Sequence, residues 1–464
     1  MNRVDRIEGR HGRRLGVRLV VTAAIGISFA ACTVGGTSSS VGPEASTPNS
    51  IASQAPTATL TPTERLTLPT SPLGSESAAP TSTPFPCAGT SSAGRWTGLN
   101  WSVANTRPVA TASNADGTEV LFGLFGWSKG YLGFRPDPVA EGASAQKIEI
   151  DASTDGLNWS VVQTLTISSS TDLSLPVSIG GLVEGPDGLL ALGEWAGHRA
   201  DFPAKRPVAV ILRSTDGRHW TYTSATAVFG SANVGTVDAG SVGYIATGLS
   251  NDGKQALVWV SSDGSNWRKS QLPGQAGIAP GDATAFGGGY VLSAAVLGGE
   301  GSGPDAVTPS LWWSGDGLEW EQASVPGMRS GGGLIGETET GVARINDHAL
   351  LATEYTYDDA SQTSAQTAWV STDGKTWCRD DAAAAVWPSQ VVSDRDQGLL
   401  FRPAADGSIS IGIWAFEDDF SLVELAQTGT VPPADVPRAA LGPAGLVAAD
   451  YSGTVLYLGV PTNG

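Results

Sequence analysis

The chain has 464 residues, with 60 Gly, 28 Pro and 15 Trp but only 16% charged residues, a composition that suits many short strands and tight turns and disfavours a mainly helical fold. Its formal net charge of −18 excludes an electrostatic partnership with nucleic acid or anionic lipid. Three cysteines in so long a chain exclude a disulfide-dense scaffold.

The N-terminus reads as a targeting segment over residues 1–31. Arginines at 3, 6, 10, 13, 14 and 18 precede the apolar run Leu19 to Phe29, which is too short to serve as a permanent bilayer anchor. The run ends at Phe29-Ala30-Ala31-Cys32, which resembles a bacterial lipobox, with Phe where Leu is commoner. The resemblance implies lipidation at Cys32, and localisation as an exported protein anchored to the outer face of the bacterial cell membrane. A plain cleaved signal peptide is the alternative, and Arg13-Arg14 leaves twin-arginine export open. Removing residues 1–31 takes away six arginines and two acids, leaving 21 basic against 43 acidic residues, a net charge of −22.

Residues 32–86 form the expected lipid-anchored linker. Beyond Cys32 they are almost wholly Ser, Thr, Pro, Ala and Gly, without the apolar periodicity that buries a core. As a flexible coil this stalk reaches about 40 Å, and in extended polyproline II geometry up to roughly 170 Å. Outside the cytoplasm the two remaining cysteines, Cys87 and Cys378, are expected to pair, with two free thiols as the alternative.

From residue 87 to 464 two repeats interleave. One is a Gly or its equivalent followed by a short apolar strand, starting at Gly130, Gly188, Gly243, Gly289, His348, Gly398 and Gly445, with successive starts 46 to 59 residues apart. The other is Ser-x-Asp-Gly-x-x-Trp, which occurs five times. Its members are Ser153, Asp155, Gly156 and Trp159; Ser214, Asp216, Gly217 and Trp220; Ser261, Asp263, Gly264 and Trp267; Ser314, Asp316, Gly317 and Trp320; and Ser371, Asp373, Gly374 and Trp377. Together they define a unit of four antiparallel strands that cannot bury its faces alone.

Seven such units predict an all-β fold, a seven-bladed β-propeller of four-stranded blades. The last unit ends without an outer strand, whereas Gly98-Leu99-Asn100-Trp101 repeats the Gly156-Leu157-Asn158-Trp159 of the first motif. The N-terminal strand near Trp96–Trp101 is therefore expected to close the ring and remove a free sheet edge. The sixth unit, around Ile413 to Leu425, has lost the turn motif.

In each motif the Asp and Ser oxygens can accept backbone N–H groups, the Gly can take positive φ, and the Trp can wedge against a neighbouring sheet. The motif resembles the Asp-box, or BNR, repeat of sialidase-like propellers, which reads Ser-x-Asp-x-Gly-x-x-Trp. Here Gly directly follows Asp, one residue tighter, in all five copies. The resemblance implies outer-strand turns remote from any central site, so the five motifs are read as structural turns.

The same resemblance directs attention to an arginine triad and a Tyr–Glu nucleophile. Phe134-Arg135-Pro136 is a loose echo of the family's first arginine motif; Arg344 and Arg402 are the further candidates, with Glu354 and Tyr355 as a nucleophilic pair. The spacing of these residues does not reproduce the family pattern, so a sialidase-like glycoside hydrolase is kept as the alternative reading. His198, His219 and His348 have no metal-ligand spacing, and the sequence calls for no metal or cofactor.

The favoured reading is a non-catalytic binding module. Long connections after the second strand are expected over Glu194 to Arg206, Ala295 to Pro309 and Glu354 to Gln366, and the first and third carry Trp195, His198, Tyr355 and Tyr357 as candidate ligand-binding residues. The expected partner is a glycan or an extracellular protein, bound by a monomer that contacts the membrane only through its lipid.

Overall fold

A computed structural model describes residues 96–104, 122–170, 175–195, 208–250, 255–270, 272, 278–297, 307–328, 338–358, 363–386, 390–393, 397–403, 411–416, 420–432, 438–449 and 455–462. The expected signal segment and linker, with Cys32 and Cys87, lie outside these residues. No helix among them is long and apolar enough to cross a membrane.

The described strands form seven sheets. Blade 1 comprises Gly123–Trp127, Gly130–Pro136, Ala145–Ser153 and Ser160–Ser168; blade 2 comprises Val177–Gly185, Gly188–Trp195, Val208–Ser214 and Thr221–Ser224. Blade 3 runs through Asn233–Gly240, Gly243–Leu249, Ala256–Ser261 and Arg268–Ser270, and blade 4 through Ile278–Phe286, Gly289–Leu297, Val307–Ser314 and Glu321–Gln322. Blade 5 is Thr338–Asn346, Ala349–Asp358, Thr363–Ser371 and Cys378–Arg379, and blade 6 is Gln390–Ser393, Gly398–Pro403, Ile411–Phe416 and Leu422–Glu424. Blade 7 combines Arg438–Gly442, Gly445–Ala449 and Leu456–Thr462 with the N-terminal strand Gly98–Val103. Within each of these blades neighbouring strands are antiparallel. The first strand of each blade touches that of the next, and the first strand of blade 7 touches that of blade 1, so the ring closes.

Burial follows from this ring. The buried apolar residues fall into seven clusters, one at each joint between consecutive blades. Strand alternation assigns them. In Gly188–Trp195, Leu189 and Ala191 enter the joint with blade 1, whereas Leu190 and Leu192 enter the joint with blade 3. Both faces of such a strand are covered, which is why it reads as an unbroken apolar run. Removing Leu190, 1% exposed, from water contributes about 1.5–3 kcal/mol.

The expected ring closure is present. Gly98–Val103 pairs antiparallel with Leu456–Thr462, from Gly98 opposite Thr462 to Val103 opposite Tyr457. Blade 7 also departs from the expected four strands, because Ala426–Gly429 adds a fifth strand parallel to Gly98–Val103. Gly98-Leu99-Asn100-Trp101 is strand here, whereas the identical Gly156-Leu157-Asn158-Trp159 is a turn with Gly156 at φ 71°. Only the second copy has Ser-x-Asp before it to capture its N–H groups. Two short helices, Ala225–Phe229 and Asp381–Val386, were also not expected; Phe229 packs edge-on against Trp259 and Trp267 in the joint between blades 2 and 3.

Candidate ligand-binding face

Antiparallel alternation sorts the turns onto two faces. The hairpins between first and second strands and the Ser-x-Asp-Gly turns between third and fourth strands share one end of the blades, the turn face. The connections after the second strands and those between blades share the opposite end, the loop face.

On the turn face the five motifs have a common internal geometry. Each Asp Oδ1 accepts the backbone N–H groups two and three residues on, at 2.7–3.0 Å. Each Ser Oγ donates to the same Oδ1 at 3.0–3.2 Å. These donors favour the ionised carboxylate. The backbone N–H of Asn158 leads in lowering Asp155 to about 2. Asp216 is held below the ordinary range first by the His219 side chain, and Asp263 and Asp316 first by the N–H groups of Asn266 and Glu319. Burial would raise Asp373, and the N–H groups of Thr376 and Lys375 outweigh it.

The same motifs join blades. Trp220 lies in the cluster between blades 1 and 2, Trp320 in that between 3 and 4, and Trp377 in that between 4 and 5, each indole packing against the preceding blade. Trp159, Trp220, Trp267 and Trp377 donate their indole N–H to the carbonyl of their own motif Gly at 2.9–3.2 Å. The motif Gly is required twice over. Its φ lies between 66° and 73°, and at Gly217 a Cβ would sit 2.8 Å from Trp127 Cζ2 of blade 1. At Gly317 it would collide with Val260 Cγ1 of blade 3. Contact with the preceding blade thus gives a physical reason for Gly immediately after Asp.

Tyrosines at the start of three second strands reinforce these joints, a device that sequence reading missed. Tyr131 Oη donates to the Gly445 carbonyl at 2.8 Å, Tyr244 to Gly188 at 2.8 Å and Tyr290 to Val242 at 3.4 Å, in each case the hairpin of the preceding blade. The recurrence of Gly-Tyr at 130, 243 and 289 was the available signal.

The loop face carries the candidate ligand-binding residues. Trp195 ends the second strand of blade 2, while His198 lies outside the described residues. Glu354, Tyr355 and Tyr357 belong to a hairpin that extends to Asp358 opposite Thr363. The expected loop over Glu354 to Gln366 is therefore mostly strand, because cross-strand pairing continues where loop was expected; strand likewise covers Ala295–Leu297 and Val307–Pro309. Glu354 is buried at 2% exposure and Tyr355 is half-buried. Glu194, not singled out from the sequence, lies with its carboxylate against Gly180, where a Cβ would collide with it.

The three candidate arginines do not share one end of the molecule. Arg135 is buried near the loop-face end of its strand, where its Nε donates to Asp151 Oδ2 at 2.5 Å and its guanidinium lies 4.4 Å from the Phe122 ring centroid. Arg402 also stands near a loop-face strand end, opposite Gly412. Arg344 pairs with Leu350 beside the turn-face hairpin, and its Nη1 lies 3.7 Å from Asp347 Oδ1. Counted along the strands, Arg135 and Arg344 differ by four residues in height, roughly 13 Å.

His219 sits in the second motif with Nδ1 2.7 Å from Asp216 Oδ2, and His348 in the blade 5 hairpin. Among the described residues no group of three or more His, Cys, Asp or Glu is arranged to hold a metal ion. Cys378 is disulfide-bonded, and its expected partner Cys87 lies outside the described residues.

No family model matches the chain, and no curated protein matches it. Solved structures similar to it include a Hadza microbial sialidase at 13% identity, over 69% of this chain and 74% of that one, with a TM-score of 0.39. A Trypanosoma rangeli sialidase matches at 13% identity over 70% of this chain, which spans 59% of that protein, with a TM-score of 0.32. A protein from Lactobacillus plantarum matches at 12% identity, over 68% of this chain and 87% of that one, with a TM-score of 0.40.

Proposed function

We propose that the propeller is a non-catalytic recognition module for a glycan or an extracellular protein, held at the outer face of the cell membrane by a lipid on Cys32 and the linker up to residue 86. The observation that carries the reading is the placement of the arginines. Arg135 is already engaged by Asp151 in a buried pair, and Arg344 stands at the opposite end of the blades. A hydrolase that grips one carboxylate with these arginines would need them at one end. Recognition needs only a rigid support bearing polar and aromatic groups, such as the loop-face strand ends with Trp195, Tyr355 and Tyr357. Sialidase-like glycoside hydrolysis is the alternative; Glu354 and Tyr355, consecutive in the strand Ala349–Asp358, project to opposite faces of it and do not form a nucleophilic pair.

The test uses the soluble chain from residue 33 onward, screened on a glycan array and assayed with a fluorogenic sialoside. Binding without turnover is expected, with Trp195→Ala or Tyr355→Ala weakening affinity by about tenfold or more, the scale of an aromatic hot spot. Sialoside turnover that disappears in Arg135→Ala would overturn the reading. For the anchor, metabolic acyl labelling of the full chain should mark Cys32 and be lost in Cys32→Ser; an unlabelled mature protein would contradict it.

A further inference from the structure

The five turns place the same dipeptide, Asp-Gly, in one fold five times, and their geometries are not identical. In four of them the Gly N–H donates to the motif Ser Oγ: Gly156 to Ser153 at 2.9 Å, Gly217 to Ser214 at 2.9 Å, Gly317 to Ser314 at 2.8 Å and Gly374 to Ser371 at 2.9 Å. In the third motif Ser261 Oγ bonds to Asp263 only, donating to Oδ1 at 3.0 Å and accepting the Asp263 N–H at 3.3 Å. Gly264 N–H has no hydrogen-bond partner among the described residues.

This difference falls on a reactive atom. Among aspartyl dipeptides Asp-Gly is the most open to intramolecular imide formation, because Gly has no side chain to shield its nitrogen. In that reaction the Gly nitrogen attacks the Asp Cγ and an N–Cγ bond forms. The amide proton passes to solvent, the carboxylate takes up two protons from solvent, and one of its oxygens leaves as water. Water then re-enters at the Asp backbone carbonyl and breaks the original peptide C–N bond, so the chain runs through the side chain as isoaspartate. One water leaves and one returns, and nothing is oxidised or reduced. A Ser Oγ that accepts the Gly N–H opposes the first step twice, since that bond must break before nitrogen can attack and it also fixes the peptide plane.

We propose that Asp263-Gly264 is a site of spontaneous isoaspartate formation, and that the other four motifs are protected by their serines. The consequence is local. An inserted backbone methylene moves the carboxylate away from the N–H groups of Ser265 and Asn266 that it now accepts at 2.7 Å. Wear in this protein therefore begins at the joint between blades 2 and 3, where Trp267 packs.

The experiment ages the folded, exported chain at neutral pH and 37 °C, with isoaspartate located by peptide mapping and enzymatic isoaspartyl methylation. Asp263 is expected to accumulate isoaspartate about tenfold faster than Asp155, Asp216, Asp316 or Asp373, the scale of one hydrogen bond's net free energy. In urea-unfolded chain the five rates should converge. Ser214→Ala and Ser371→Ala, each freeing a Gly N–H, should raise the rate at Asp216 and Asp373 towards that at Asp263, with circular dichroism confirming that each variant remains folded. Rates that agree across the five sites in folded wild-type chain would overturn the proposal, as would an unchanged rate at Asp216 in folded Ser214→Ala.

Discussion

Blades 1–5 and blades 6–7 solve the same packing problem with different chemistry. In the first five, a self-satisfied Asp turn delivers a Trp to the joint with the preceding blade. Blade 6 has no such motif; Phe420, at φ 66° and 8% exposed, places its ring in the joint between blades 5 and 6 instead. Positive φ in a bulky residue costs about 1–2 kcal/mol, which burial of the ring offsets. Blade 7 fills its joint with Leu99 and Trp101 from the N-terminal strand. An aromatic residue at each joint is thus the common requirement, and the Asp turn is the commonest local way to meet it.

The largest effect is expected at the ring closure. Deleting Gly98–Val103 removes Leu99 and Trp101 from the joint between blades 6 and 7 and leaves Leu456–Thr462 without its outer partner. The expected result is loss of the single cooperative transition in calorimetry, a larger effect than any point change in a motif. A smaller loss is expected from Gly317→Val, which combines a left-handed φ with a collision at Val260: about 2–5 kcal/mol from strain and overpacking, read by chemical denaturation.

Acid has a smaller effect. Asp155 titrates at about 2 in the folded chain against 3.8 ordinarily, and the other four motif aspartates are also lowered. The unfolded chain therefore binds more protons, so this stabilisation is complete above the ordinary value and is lost as pH falls through the folded value. Melting temperature should fall between pH 4 and about 2, and replacing Asn158 by Ala, which removes a donor to Asp155, should reduce the part of that fall due to the first motif.

The architecture was legible where its causes are local. Apolar runs after Gly130, Gly188 or Gly243 and the Ser-x-Asp-Gly turns carry their own hydrogen-bond partners, so period and turn chemistry suffice to count the blades. Ala426–Gly429 escaped because its Gln, Thr and Gly lack a strand pattern, and only the parallel edge of Gly98–Val103 makes it a strand. Phe420 escaped because nothing adjacent in sequence announces its left-handed backbone. For the candidate site, the position of the five turns away from the loop face was readable, whereas the opposed placement of Arg135 and Arg344 depends on strand register across distant blades.

The central claim is that the motif aspartates brace blade joints and do not touch a ligand. Asp216→Ala tests it most directly when melting temperature and affinity for the ligand selected on the glycan array are measured on the same preparation. A lower melting temperature at unchanged affinity is expected; lost affinity at an unchanged melting temperature would show that the aspartate touches the ligand.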